Sequence, residues 1–236
     1  MSPDSPAVRR IRWASATRVI ASRYPPIDLF ERVSPDAAVR EALTAAEMLV
    51  NPRVRDEVGE IALVPSEDRV SGPGATWVMA PFTHRNPNGS RFSDGSYGVY
   101  YAGNSLDTAV AETAHHFTRI ARDAADGPRR ETMCVLVGHV DAMLHDLGSL
   151  SATRHAELLN PGSYAAARPY ASALRDAGSR GLHYRSVRHP SGYCLAAFRP
   201  NVVGIPRQER HLEYDWDGHK VRRYFDYQDG VWIGLP

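Results

Sequence analysis

Three residues with chemically useful side chains lie close together in the sequence, in the stretch from Ser90 to Phe117. Arg91 is in a glycine-containing loop, Tyr101 ends an aromatic-rich strand pattern, and Glu112 lies inside an otherwise apolar helix pattern. The end of a strand and the first turns of the helix after it line one cleft, so we expect these side chains to converge. An arginine, an aromatic ring and a lone carboxylate are what an enzyme needs to hold a dinucleotide and break a glycosidic bond.

Each of these residue types also has an ordinary structural interpretation. A glutamate on an amphipathic helix usually faces solvent, a loop arginine is usually solvated, and a strand tyrosine often belongs to the core or the sheet edge. The neighbouring His115 and His116 point about 100° apart on a helix, which does not suit one metal ion. Because the chain has no H-E-x-x-H motif and no zinc-like cysteine spacing, we expect no metal site.

The elements that would position these residues follow from periodicity and from turn signals. Helices are predicted from the Ser34-Pro35-Asp36 cap to Asn51-Pro52, from a cap at Ser105 or Asp107 through Arg122, and over Ser163–Asp176, while Ala75–Phe82 fits a helix or a strand. Strands are predicted over Trp13–Ile20, Ile61–Val64, Tyr97–Ala102, Thr132–Val140 and Val202–Ile205. A turn and another apolar element are expected over Asp141–Leu150. Hairpins are predicted from Gly181–Val187 with Tyr193–Phe198, and around a turn at Asp217-Gly218.

This order predicts a single compact α+β domain over residues 1–236, with a mixed sheet core and flanking helices. The core is placed at about residues 83–205. Residues 24–80 are interpreted as an N-terminal elaboration, and residues 206–236 as a C-terminal hairpin.

Composition excludes several classes of protein. The chain has 28 Lys and Arg against 27 Asp and Glu, a formal net charge of +1, so direct nucleic-acid binding is not expected. No apolar run approaches 18 residues, so no membrane partner is expected, and the first residues lack the apolar core of a signal peptide. A cytoplasmic location is therefore the expectation. Cys134 and Cys194 lie in apolar runs, which favours buried free thiols over a disulfide.

The segment R-F-S-D-G-S-Y-G-V-Y-Y-A-G-N-S-L-D-T-A-V-A-E, followed later by G-L-H-Y-R-S-V-R-H-P-S-G-Y-C-L-A-A-F-R-P, resembles the RES domain family. That family is named for its arginine, glutamate and serine. Its pattern falls on Arg91, Tyr101, Glu112 and Ser186, and the resemblance covers roughly residues 83–205. Arg18, in T-R-V-I, resembles an N-terminal family arginine that faces the pocket.

The resemblance implies a fold similar to ADP-ribosyltransferase toxins and NAD as substrate, with no further cofactor. It implies the toxin of a toxin–antitoxin pair, which cleaves the nicotinamide–ribose bond by phosphorolysis, with inorganic phosphate as co-substrate. One alternative is mono-ADP-ribosylation of a protein, and a second is a nucleotide-binding or interaction module without turnover. The implied partner is an Xre-type antitoxin whose C-terminal segment covers the active site. The additional segments suit an antitoxin interface, a homo-oligomer contact or a lid.

The same resemblance implies a role for each site residue. Arg91, Tyr101 and Glu112 are the expected catalytic residues, with the Glu112 carboxylate facing the ribose. Arg91 and Arg18 would bind phosphate, Tyr101 would pack against nicotinamide or its ribose, and Ser186 would hydrogen-bond the substrate and orient Glu112.

Overall fold

The structure is a computed structural model that describes residues 5–23, 36–50, 59–84 and 86–235. Five α-helices lie within these ranges: α1 (Ala37–Val50), α2 (Ala75–Thr83), α3 (Leu106–Asp123), α4 (Ala152–Leu158) and α5 (Ala167–Asp176). Eight strands accompany them: β1 (Ala7–Ala21), β2 (Tyr100–Gly103), β3 (Arg129–Asp146), β4 (Gly181–Arg185), β5 (Tyr193–Ala197), β6 (Arg207–Trp216), β7 (Val221–Asp226) and β8 (Val231–Gly234).

All eight strands belong to one mixed sheet, in the order β1-β2-β5-β4-β3-β6-β7-β8. The β3–β4 pairing is parallel and the other pairings are antiparallel. Because β1 also pairs with β3, the strands β1, β2, β5, β4 and β3 close into a ring, and β6, β7 and β8 extend the sheet from β3. The predicted α+β class, with a mixed sheet core and flanking helices, is confirmed.

Helices cover the sheet on opposite faces. Successive residues of a strand point to opposite faces, and Tyr100 packs with α2 while its neighbour Tyr101 packs with residues of α5. The α3 helix buries an alanine- and valine-rich face against Val19 of β1 and Val135 of β3. The small side chains of this face let the helix backbone lie close to the sheet, which brings the polar residues of α3 near the ends of β2 and β4.

The start of α3 is fixed by its own sequence. The Ser105 side chain accepts a hydrogen bond from the Thr108 amide at 3.2 Å, and Asp107 supplies an acid in the first turn. This confirms Ser105, of the two candidates, as the cap. The β4–β5 and β6–β7 hairpins are also confirmed, and Gly218 adopts the left-handed conformation (φ 94°) that the second turn requires.

Several predicted elements are wrong or misplaced. Residues Ile61–Leu63 and Pro200–Val202 form 3₁₀ turns instead of strands, because their amides bond three residues back instead of to a neighbouring strand. The predicted turn after residue 140 is replaced by continued β3, which pairs with β1 as far as Asp146. The helix predicted from Ser163 begins at Ala167, and β8 was not predicted.

Parts of the predicted N-terminal elaboration lie outside the described residues, including Ser34 and Pro35 of the predicted helix cap and residues 51–58. In the described ranges, none of the helices is long and apolar enough to cross a bilayer.

Candidate active site

Glu112 lies in the middle of α3, half-buried, and one of its two oxygens is held firmly. Oε1 accepts hydrogen bonds from the Ser186 hydroxyl at 2.6 Å and from the Val187 amide at 3.1 Å, and the Cys194 thiol lies 3.8 Å away. Among the described residues, no donor reaches Oε2. The carboxylate is therefore oriented through one oxygen, and the second oxygen remains available to a ligand.

Ser186 follows β4 directly and organises the turn between β4 and β5. Its buried hydroxyl donates to Glu112 and accepts from the amides of Arg188 at 3.2 Å and His189 at 3.0 Å. Its own amide donates to the carbonyl of Gly192 at 2.9 Å. The structure thus brings Ser186 and Glu112 together across 74 residues of sequence, and the serine acts on the carboxylate as an orienting donor.

Tyr101 is the second residue of β2, and its hydroxyl is hydrogen-bonded to the loop that carries Arg91. The hydroxyl lies 2.8 Å from the Ser90 Oγ and accepts from the Phe92 amide at 3.0 Å, while the ring stacks on Phe92 at a centroid distance of 6.5 Å. Burial raises the pKa of Tyr101 well above its usual value, so the phenol stays protonated. These contacts fix the backbone on both sides of Arg91.

Arg91 is buried, with 7% of its surface exposed, and points toward the loop after α4. Its Nη1 donates to the carbonyl oxygens of Asn160 at 2.8 Å and Leu158 at 3.4 Å, and its guanidinium lies 4.6 Å from the ring centre of Tyr164. No carboxylate of the described residues lies within 4 Å of it. The two carbonyl groups engage only Nη1 and do not neutralise the guanidinium, so Arg91 keeps its positive charge for an anionic ligand.

Arg18 does not join this group. Its Nη1 donates to the backbone carbonyl of Tyr101 at 3.2 Å, and its guanidinium lies 4.7 Å from the ring centre of Tyr100. The Tyr100 and Tyr101 side chains lie on opposite faces of β2. Arg18 therefore packs on the face away from the Tyr101 ring and contacts neither Arg91 nor Glu112. The expected pocket-facing position is not what the structure has, and Arg18 instead holds β2 against β1.

His115 and His116 border the same region of α3. Burial lowers the pKa of His116 to about 4 and also lowers the pKa of His115, on which Arg188, Arg119 and Arg91 act in the same direction. The Glu112 carboxylate opposes these effects on both histidines. Both imidazoles are therefore neutral near pH 7, and the positive charge around Glu112 belongs to arginines.

The two cysteines are free and buried, as predicted. Burial raises the pKa of Cys134 to about 11 and that of Cys194 well above the usual range, with the Glu112 charge adding to the effect at Cys194. Both remain thiols at neutral pH, so neither is a candidate nucleophile.

We expect Tyr101→Phe to lower the catalytic activity of this site at least about tenfold, because the loss of two hydrogen bonds releases the loop that positions Arg91. The measurement is the steady-state turnover of the activity proposed below, together with the thermal midpoint. Tyr97→Phe is the matched control, because the Tyr97 hydroxyl bonds the Phe92 carbonyl at 2.7 Å in the same loop. Equal losses in the two variants would point to loop stability and not to Arg91 placement.

Sequence reasoning did not single out Tyr164, which lies against Arg91, or Arg119 and Arg168, which also lie beside its ring. It also did not single out Arg188, which donates to the Pro161 carbonyl. Arg119 carried a usable signal, because it lies seven residues after Glu112 and so on the same face of the helix. Arg188 carried another, only two residues from Ser186. Nothing in the sequence around Tyr164 marks it, since its position depends on the path of the loop between α4 and α5.

The chain is similar to known proteins and matches a family model. An uncharacterized protein (y4oC) of Sinorhizobium fredii (strain NBRC 101917 / NGR234) is 26% identical over 212 residues, which is 90% of this chain and 87% of the relative. Among solved structures, a chain of the M. tuberculosis MbcT-MbcA toxin-antitoxin complex aligns over 89% of this chain and 87% of its own length, with 10% identity and a TM-score of 0.42. The family model of the RES domain matches residues 66–217, well over half of the chain and all of the site except Arg18. The chain therefore belongs to the RES domain family.

Proposed function

We propose that this protein is an enzyme that consumes NAD by cleaving the nicotinamide–ribose bond, and that it acts as the toxin of a toxin–antitoxin pair. One observation carries the enzymatic part of the proposal. The Glu112 carboxylate is oriented through Oε1 by Ser186 and Val187, has Oε2 available, and shares its surroundings with the buried, unneutralised Arg91. Family membership supports the role as a toxin.

Bond cleavage follows from the charges that develop on the substrate. As the nicotinamide–ribose bond breaks, its electron pair leaves with the nicotinamide nitrogen, which becomes neutral, and positive charge develops at C1″ of the ribose. A carboxylate with one oxygen directed at the ribose stabilises that charge and accepts a hydrogen bond from a ribose hydroxyl. In this mechanism, Glu112 contributes Oε2, and the fixed Oε1 keeps the carboxylate from turning away.

Inorganic phosphate is the proposed acceptor. One phosphate oxyanion forms the new bond to C1″, which gives nicotinamide and ADP-ribose 1″-phosphate. A phosphate oxyanion is already a competent nucleophile and needs no general base. This is consistent with a site beside which His115 and His116 are both neutral. Arg91 would hold a phosphoryl group through its planar fork of donors.

The proposal is tested with the purified chain, NAD and inorganic phosphate. We expect nicotinamide release that depends on phosphate, with ADP-ribose 1″-phosphate as the second product. Label transferred from NAD to protein would instead favour mono-ADP-ribosylation, which uses the same site with another acceptor. A protein that binds NAD without releasing nicotinamide would be a binding module, and the enzymatic proposal would be wrong.

The proposed partner is an antitoxin of the Xre type, and its support is membership of the RES domain family. The chain itself is nearly neutral, so any binding of the pair to DNA would belong to that partner. Expression of the chain alone in bacteria should lower cellular NAD and stop growth, and co-expression of the antitoxin should restore both.

A further inference from the structure

Three guanidinium groups surround the ring of Tyr164. Arg91 from the loop before β2, Arg119 from α3 and Arg168 from α5 lie 4.6, 5.8 and 5.8 Å from the ring centre. Arg188, in the turn after β4, belongs to the same group, because its Nη2 donates to the Pro161 carbonyl at 2.7 Å, next to the Asn160 carbonyl that Arg91 contacts. We call these four arginines and Tyr164 the arginine cluster. Its members come from four separate segments of the chain, so the fold and not local sequence assembles it.

Within the described residues, no ion pair neutralises the arginine cluster, and the Arg168 charge lowers the pKa of Asp94 from beyond ion-pair distance. No carboxylate of the described residues lies within 4 Å of any of the four guanidiniums. Where they hydrogen-bond, they donate to backbone carbonyls: Arg91 to Leu158 and Asn160, Arg168 to Asn88 and Ser90, and Arg188 to Pro161. Within the described part of the chain, the Arg188 Nε is buried and has no partner. Like charges held together in this way are unfavourable unless a ligand supplies the opposite charge.

The position of the arginine cluster relative to Glu112 suits a phosphorylated sugar. Arg119 lies seven residues after Glu112 on the same face of α3, an axial rise of about 10 Å. Glu112 is the proposed contact of the reacting ribose, and in a dinucleotide the phosphates follow that ribose directly. A dinucleotide that reaches from Glu112 to the arginine cluster would therefore span its reacting ribose and the phosphates that follow.

We infer that Arg119, Arg168 and Arg188, with Tyr164, form a phosphoryl-binding subsite that extends Arg91 toward solvent. The choice of ligand rests on the proposed function: the subsite takes either the pyrophosphate of the dinucleotide or inorganic phosphate. Arginine forks match phosphoryl oxygens in geometry as well as in charge. The Tyr164 ring attracts the guanidiniums electrostatically without neutralising them, which holds them together in the absence of ligand.

The first test measures binding without turnover. Glu112→Gln protein is titrated by calorimetry with inorganic pyrophosphate and, separately, with inorganic phosphate. We expect at least one of the two anions to bind. When Arg119→Gln is combined with Glu112→Gln, the affinity for that anion should fall about tenfold. Arg119 is the informative position because it is exposed and makes no hydrogen bond within the described residues, so its replacement leaves the fold intact.

Arg207→Gln, at an exposed position of β6, is the matched control because it removes the same charge elsewhere. If Arg119→Gln and Arg207→Gln weaken anion binding equally, the effect comes from net charge alone and the inference is overturned. The inference is also overturned if neither anion binds. Tyr164→Phe, which keeps the ring, should bind as the parent does, and Tyr164→Leu should bind more weakly. This titration tests whether the subsite binds phosphoryl groups even if the wild-type protein releases no nicotinamide. Absence of nicotinamide release would refute only the proposed function.

The second test identifies the source of the phosphoryl group by kinetics. In otherwise wild-type protein, Arg119→Gln should raise the KM for NAD about tenfold if the subsite holds the pyrophosphate. It should raise the KM for inorganic phosphate by a similar factor if the subsite holds the co-substrate. An active variant in which both KM values match those of Arg207→Gln would contradict the inference.

Discussion

Replacing Glu112 by glutamine is expected to lower the rate of nicotinamide release at least about a hundredfold while leaving the fold intact. The carbonyl oxygen of the new amide can take the place of Oε1 and accept from Ser186 and Val187 at 2.6 and 3.1 Å. The amide nitrogen then replaces Oε2, so the ribose meets a neutral donor in place of a negatively charged acceptor. The loss should therefore appear in kcat, because the charge at C1″ exists only as the bond breaks.

The measurement is phosphate-dependent nicotinamide release by purified protein, with the thermal midpoint as the check on folding. Glu209→Gln is the matched control, since Glu209 is exposed on β6 and its one ion pair with a described residue is to Arg210, at 3.7 Å. Unchanged turnover by Glu112→Gln would show that the carboxylate has no part in the reaction. A large fall in the thermal midpoint would instead assign its role to stability.

The sequence predicts α3 well because the helix carries its own signals. Ser105 provides the cap, Asp107 provides the acid in the first turn, and the apolar spacing of the helix has the period of a buried face. The β4–β5 and β6–β7 hairpins are equally local, because a short turn sets the pairing of the strands beside it. Such elements depend on interactions between residues that are near in sequence.

The elements that were mispredicted depend on distant partners. The β3 strand continues to Asp146 because β1 and β4 both pair with it there, and no signal within β3 specifies that length. Val203 makes a single bridge, to Val140, instead of the predicted strand, since Pro200 starts a 3₁₀ turn just before it. The β8 strand needs β7 as its template, and its exposed residues carry no burial pattern.

The site residues also differ in how far the local sequence predicts their role. Residue types suggested that Arg91, Tyr101 and Glu112 could converge, but each had an ordinary interpretation that only distant contacts removed. Glu112 was a candidate from its place in the helix pattern, but its partner Ser186 lies 74 residues away and was named only through the resemblance to the RES domain. Arg18 shows the limit of such a transfer: its guanidinium packs on the Tyr100 ring, away from the other site residues.

Tyr101 shows that a residue type can also suggest the wrong role. A tyrosine beside a proposed nicotinamide pocket is naturally interpreted as a stacking surface, yet its hydroxyl bonds the Ser90 side chain and the Phe92 backbone amide. Its contribution to the site is therefore positional, through Arg91, and the residue type alone did not indicate this. Contacts of this kind appear only when the loop conformation is known.

Arg91→Lys is expected to lower kcat/KM for NAD at least about tenfold, although it keeps the positive charge. Arg91 uses Nη1 for the Asn160 and Leu158 carbonyls, and no described residue bonds its Nε or Nη2. The guanidinium can therefore hold the loop after α4 and a phosphoryl group at the same time. A lysine ammonium carries its three donors on one nitrogen, so it cannot offer a planar pair of donors to a phosphoryl group while it also reaches the carbonyls.

The comparison that isolates this effect is Arg207→Lys, which makes the same change at an exposed position of β6 and should leave kcat/KM unchanged. Chemical rescue distinguishes phosphate binding by Arg91 from a purely structural role, because a small guanidinium compound would not restore activity if the role were only structural. Millimolar methylguanidinium should restore part of the activity of Arg91→Ala, because it supplies the planar fork in the vacated space, whereas methylammonium should restore less. If Arg91→Lys turns over NAD at the wild-type rate, a single point charge is sufficient at this position, and the bidentate contact to phosphate is wrong.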